Sequence, residues 1–235
     1  MTKSNPQQVF NLQLAPAYTF ATFYDEKVKS LTTSLQQLVS YDAKELQFYI
    51  WGSDGVGKTH LLQAICHLFN DNNLRAIYIP LNEVMDKDSS LVSGLDSMDL
   101  VCLDNIDCVS GKPDWEQALF NLINQLRARK IPIVLSANSS PANNIFDLAD
   151  LNSRLGWGQV YQLPGLLEGE LDEALCLHAK ARGIEVPKVV RNYLFKHVRR
   201  DASTLVEILE ILDYASLQEQ RKITLPFLKQ VLTTP

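Results

Sequence analysis

The chain has 235 residues, a net charge of −5, 46% hydrophobic residues and 21% charged ones. That balance gives enough material for one large or two small cores, and excludes a wholly disordered or fibrous chain. An acidic total argues against a domain that binds nucleic acid by neutralising phosphates, so little direct DNA binding is expected. No apolar stretch is long enough for a membrane span, and the start MTKSNP lacks a signal-peptide core, so a cytoplasmic location is expected. The cysteines Cys66, Cys102, Cys108 and Cys176 form no C-x-x-C pair and fall mostly in apolar patterns. Reduced core thiols are expected, not zinc ligands.

In chain order, residues 1–17 read as a polar tail with Pro6, Pro16 and a short apolar pulse at Phe10, Leu12 and Leu14. A helix-and-strand alternation starts at Tyr18. Leu46–Trp51 is an apolar run of buried-strand type, and a helical pattern (Leu61, Leu62, Ile65, Cys66, Phe69) follows the glycine-rich segment after it. Arg75–Leu81 predicts a second strand, and Leu100–Leu103 a third that closes on Asp104. Asp114 is a candidate N-cap for a helix carrying Trp115, Leu119, Leu122, Ile123 and Leu126 on one face. Ile131–Ser136 and Gln159–Leu163 predict strands four and five. Short apolar strands alternating with helices imply a parallel sheet covered on both faces.

Past Pro164 the pattern becomes helical, over Glu168–Arg182, Pro187–Val198, Ala202–Gln218 and Pro226–Leu232. Gly183 suits the end of the first of these and Pro187 the first turn of the next. The expected architecture is α/β: a nucleotide-binding domain over 18–163 with a five-stranded parallel sheet and flanking helices, then a small all-helical lid domain over 164–235.

Gly52-Ser53-Asp54-Gly55-Val56-Gly57-Lys58-Thr59 reads G-x-x-x-x-G-K-T between a strand and a helix, and His60, next in line, is expected among the nucleotide-binding residues. The glycines let backbone N–H groups converge on phosphate oxygens, and the helix N-terminus adds its positive end. Lys58 would reach the β- and γ-phosphates, and the Thr59 hydroxyl would ligate Mg²⁺. A second Mg²⁺ carboxylate is expected at the end of a neighbouring strand, where Asp104 stands. The following position, often a water-polarising acid in ATPases, is Asn105, and an amide is no proton acceptor at neutral pH. Asp107, two residues on, cannot be assumed to replace it. Asn138, at the end of the fourth strand, reads either as an amide near the γ-phosphate side or as a plain turn residue of Asn-Ser-Ser-Pro. In Ser153-Arg154-Leu155-Gly156-Trp157-Gly158 a helix ends sharply and leaves the Arg154 guanidinium at a surface. It reads either as a solvated arginine or as an arginine finger for a neighbour's site.

The order P-loop, Leu-Asp-Asn-Ile-Asp, Ser-Ala-Asn-Ser-Ser-Pro, Ser-Arg-Leu-Gly-Trp-Gly, then lid helices resembles the AAA+ domain of the bacterial replication initiator DnaA. It is more closely similar to the short DnaA homologues of the Hda family, which lack the helix-turn-helix DNA-binding domain. The resemblance spans nearly the whole chain. It implies Walker A at Gly52–Thr59, Walker B at Asp104, sensor 1 at Asn138 and an arginine finger acting in trans at Arg154. It also implies an adenine pocket closed by Thr19–Phe23, with Phe20, and bound ADP (or ATP) with Mg²⁺. An N-terminal peptide for the DNA polymerase III β sliding clamp corresponds to Gln7, Phe10 and Leu12, although Gln8 stands where the family's peptide has leucine. The family's sensor 2 arginine is missing, since Ser203-Thr204-Leu205 occupies its place, with Arg199 and Arg200 nearby as open candidates to replace it. With Asn105, that absence implies weak or no ATP turnover by the chain itself.

The implied function is negative regulation of replication initiation: clamp-docked and ADP-bound, the protein stimulates ATP hydrolysis by DnaA and prevents re-initiation. It would act as a monomer or homodimer. The alternatives are an autonomous AAA+ ATPase such as a helicase loader, and a nucleic-acid binder using Arg191, Lys196, Arg199 and Arg200, which otherwise read as a solvated helix face.

Overall fold

The computed structural model describes residues 14–40 and 43–233. They fall into two compact units. The first comprises the stretch up to Phe20, Asp25–Asp54 and Lys58–Leu163; the second comprises Ala21–Tyr24, Gly55–Gly57 and the residues after Leu163.

The first unit opens with α1 (Lys29–Gln36) and is built on five strands: β1 (Gln47–Trp51), β2 (Ala76–Pro80), β3 (Leu100–Asp104), β4 (Ile133–Ala137) and β5 (Gln159–Gln162). All pairings are parallel, in the order β2-β3-β4-β1-β5. Between strands run α2 (Lys58–Asp71), α3 (Leu81–Val84), α4 (Pro113–Ala128) and α5 (Ala149–Leu155). Alternate strand residues divide the core, as the two-residue period of a pleat requires. Tyr49, Ile77, Ile79, Val101, Leu103, Ile133 and Leu135 pack with Trp115, Leu119, Ile123 and Leu126 of α4. On the opposite side α2 lies along β2, β3 and β4.

Strand and helix ends shift by a residue or two from the sequence reading, and two caps change. Helix α4 begins at Pro113 with Lys112 as its N-cap, so Asp114 lies inside the first turn, where its charge favours the helix dipole without capping it. Pro187 is likewise the cap residue itself, with extended backbone, and the following helix starts at Lys188. Gly183 has φ +68, as expected of a residue that ends a helix.

The second unit holds α6 (Glu168–Ala181), α7 (Lys188–His197), α8 (Ala202–Glu219) and α9 (Leu225–Thr233). Its core joins Leu171, Leu175, Leu194, Leu205, Leu209, Leu212, Phe227 and Leu228, all buried. Cys66 and Cys102 are buried thiols and Cys108 is half-buried, but Cys176 is exposed on α6, so the core reading fails for that residue. Among the described residues no helix is long and apolar enough to cross a membrane.

Gly158, just before β5, is fixed by a close approach. A Cβ there would overlap the Gln47 carbonyl, which is backbone and cannot swing away. Gly158→Ala is expected to destabilise the first unit by about 1–3 kcal/mol, the usual cost of overpacking, lowering Tm by several degrees in a thermal melt.

Candidate functional site

The β1–β4 register pairs Trp51 with Ala137, and β3 pairs Pro80 with Asp104. Parallel strands end on the same side, so Gly52, Asp104 and Asn138 emerge at one edge of the sheet, where open α/β sheets carry their ligands. Gly52 N–H donates to the Ala137 carbonyl, closing β1 onto β4 as the glycine loop begins. The loop bends through Gly55 at φ +77 and Gly57 at φ +102, both in the left-handed region that L side chains avoid. A Cβ at Gly55 would also come within 2.5 Å of Asp201 Oδ1, and one at Gly57 would press on the Phe23 ring at 3.0 Å.

Lys58 is buried, and its Nζ donates to the carbonyls of Gly52 (2.7 Å) and Ser53 (3.0 Å) and to Asn138 Oδ1 (2.8 Å). Burial lowers its pKa, against the raising fields of Asp54, Asp104 and Asp107. Asp104 is more tightly held still. Its Oδ2 accepts from the Thr59 hydroxyl (2.6 Å) and the Tyr78 hydroxyl (2.8 Å), and its Oδ1 accepts from the Ser136 hydroxyl. Burial and the Asp104 carboxylate together push the Tyr78 phenol far up, keeping it a donor. The Thr59–Asp104 oxygen pair has the hard-donor chemistry that Mg²⁺ takes, so these two residues fit the metal.

The loop after β3 departs from a general-base arrangement. Asn105 sits at φ 57, a left-handed position that asparagine tolerates better than most residues. Its Nδ2 donates to Asn82 Oδ1 at 3.3 Å, while its backbone N–H donates to Ser136. Asp107 Oδ2 accepts from the Asn138 N–H at 3.2 Å, and its Oδ1 is buried without a hydrogen-bond partner among the described residues. Asp107 thus braces the residue that meets Lys58.

His60 has a supporting role. It is buried, stacks on Tyr18 (centroids 4.8 Å apart, planes 13° from parallel) and donates from Nε2 to the Thr19 carbonyl at 2.9 Å. Further along α2, Gln63 Oε1 accepts from the Ala15 N–H and His67 contacts the Ala15 carbonyl. Residues 15–19 are therefore latched along α2, next to the half-buried Phe20. Gln7, Phe10 and Leu12 lie outside the described residues.

Arg154 ends α5. Its carbonyl, and that of Leu155, accept from Gln47 Nε2, which satisfies helix-end groups from the first residue of β1. The guanidinium lies over the Trp157 ring at 3.7 Å and donates from Nε to Asn124 Oδ1 at 3.0 Å. At and beside the sensor 2 position the side chains find partners within the helical unit. Ser203 bonds to Glu207, Arg199 pairs with Asp201, and Arg200 pairs with Glu168 and caps the Phe195 carbonyl. Arg191 pairs with Asp172, so three of the four cations suggested for nucleic acid are engaged internally.

Sequence reasoning missed Tyr78, Ser136 and Asn124. No local motif marks them, because each acts across a gap of 26 to 32 residues. The spacing of Arg154 and Trp157 around Gly156 was the one legible hint.

A strand feeding a glycine loop, a carboxylate closing β3, an asparagine closing β4 and a separate helical unit define the P-loop AAA+ class. Residues 14–162 match the family model of the bacterial DnaA ATPase domain, and residues 168–232 match that of the Hda lid domain. The chain belongs to the Hda family, DnaA-type ATPase domains carrying an Hda lid. An uncharacterized protein of Haemophilus influenzae is 39% identical over 233 residues, 99% of each chain. Domain III of DnaA from Thermotoga maritima is similar in fold, with a TM-score of 0.77 at 23% identity over 95% of this chain and 100% of that one. AMPPCP-bound DnaA from Aquifex aeolicus is similar with a TM-score of 0.66 at 23% identity, over 87% of this chain and 68% of that one.

The His60 latch carries a pH signature. Burial lowers the imidazole pKa from its ordinary 6.5 to about 4, partly offset by the Thr19 carbonyl. Between those values the unfolded chain binds a proton that the folded one refuses, so stability falls as pH drops through the window. Urea unfolding should show a loss of about 2 kcal/mol from this group between pH 7 and pH 5, absent in His60→Gln. Equal losses in both proteins would contradict the neutral buried imidazole.

Proposed function

We propose that this protein is a regulator of replication initiation that holds ADP (or ATP) with Mg²⁺ and makes a DnaA molecule hydrolyse its own ATP. Gly52–Thr59 would cradle the phosphates, Thr59 and Asp104 would hold Mg²⁺, and Lys58 and Asn138 would face the terminal phosphates. The residues around Phe20 would cover the base. Bound Mg²⁺ supplies charge neutralisation at the phosphates. Gln7, Phe10 and Leu12 would dock the chain on the DNA-loaded sliding clamp, through a few anchors that order on binding.

The observation that carries this reading is the placement of Arg154. Its backbone is bound by Gln47 at the start of β1, whereas the phosphate loop begins after Trp51, at the other end of that strand. Five residues at about 3.3 Å each separate the two by roughly 16 Å, farther than an arginine side chain extends. That separation supports a role for Arg154 at a nucleotide held by another molecule. Asn105, turned to Asn82, supports the same division: an amide stands where many ATPases have a water-polarising acid.

Arg154→Ala is expected to keep ADP affinity and clamp binding while abolishing stimulation of DnaA's hydrolysis, an effect of 10³-fold or more on the arginine-dependent rate by the usual worth of a finger. Single-turnover hydrolysis of DnaA-bound ATP on loaded clamp checks it. Phosphate release by this chain alone should stay at background; brisk turnover without DnaA would favour an autonomous ATPase.

A further inference from the structure

The described chain contains nine arginines. Seven carry a carboxylate partner: Arg75, Arg129, Arg182, Arg191, Arg199, Arg200 and Arg221. The other two, Arg127 and Arg154, form no ion pair among the described residues, and both lie over the same indole. Arg154 is 3.7 Å and Arg127 4.3 Å from the Trp157 ring centroid.

Local structure explains the convergence. Arg154 and Trp157 flank the turn that ends α5, where the Trp157 N–H bonds to the Arg154 carbonyl. Phe120, Asn124 and Arg127 recur at helical spacing along one face of α4. Phe120 lies 5.5 Å from the Arg154 guanidinium, Asn124 takes its Nε proton, and Arg127 reaches the ring from the last turn. Asn124 occupies only Nε, so both Nη nitrogens of Arg154 make no hydrogen bond among the described residues. Glu45 and Lys44 line the cavity of about 280 Å³ beside Arg127 and Trp157, yet Glu45 does not pair with Arg127.

Bringing two like charges onto one ring costs energy, and among the described residues no carboxylate pairs with either guanidinium to relieve it. An anion relieves it instead. Stacking on the indole also removes rotamer freedom from a long side chain before a ligand arrives, so less is lost on binding.

We infer that Arg127, Trp157 and Arg154 form one two-pronged phosphate clamp, in which Trp157 is a positioning residue and Arg127 is a second cation offered with Arg154 to the triphosphate of a nucleotide carried by the partner. The inference rests on Arg154 acting in trans. Arg127 is exposed at the end of α4, so removing it costs no core packing.

The test uses the full chain, ATP-bound DnaA and loaded clamp, with single-turnover hydrolysis read at saturating and half-saturating concentrations of this protein. Arg127→Ala should lower the maximal stimulated rate about tenfold or more, the worth of one charged hydrogen bond, with ADP affinity unchanged. Trp157→Leu should lower the maximal rate similarly without moving the half-saturating concentration, and Trp157→Phe, which keeps an aromatic face, should recover most of it. If Arg154→Ala abolishes stimulation while Arg127→Ala and Trp157→Leu match the wild type, the clamp is wrong and the finger stands. If Arg154→Ala itself stimulates normally, the trans reading falls and the clamp falls with it. Should Trp157→Leu lose ADP affinity, Arg127→Ala alone decides: a wild-type rate overturns the clamp and a tenfold loss upholds it.

Discussion

The carboxylate of Asp104 is the constraint on which the first unit turns. Thr59 reaches it from the first turn of α2, Tyr78 from β2 and Ser136 from β4, so one buried charge at the end of β3 gathers four elements. A buried carboxylate left short of donors would cost several kcal/mol, which makes every one of these contacts part of the fold as well as of the site. The same three donors fix where the glycine loop starts, because Thr59 follows Lys58 and Lys58 is tied back to Gly52, Ser53 and Asn138.

Much of this was legible in the linear chain where chemistry is local. The glycine spacing, the strand before it and the helix after it occupy one short stretch, and Asp104 closes an unbroken apolar run. Residues that act across the sheet left no such trace. Tyr78 and Ser136 look like ordinary strand residues until the parallel register sets them beside Asp104. Asn105 was readable as a missing acid, but not as a left-handed residue bonded to Asn82. Pro113 displaced Asp114 as the start of α4 because proline's fixed φ and missing N–H suit the first helical position. Cys176 was misjudged because the exposed and buried faces of α6 alternate too closely for one cysteine to be assigned by its neighbours.

The proposed roles divide between the two ends of a single strand. At its finish β1 delivers the phosphate loop; at its start Gln47 secures the end of α5. A rigid five-residue strand cannot fold back on itself, so the distance between these functions is built into the sheet. A motor that hydrolyses its own ATP in a ring uses both ends of each subunit. This chain carries an amide at 105 and serine at 203.

The unneutralised arginines also sit on a molecule whose overall charge is −5. Two cations held on one indole would draw an anionic group toward Trp157 over about a Debye length, roughly 8 Å at physiological ionic strength. The collision would then be aligned by the long-range field before any hydrogen bond selects it.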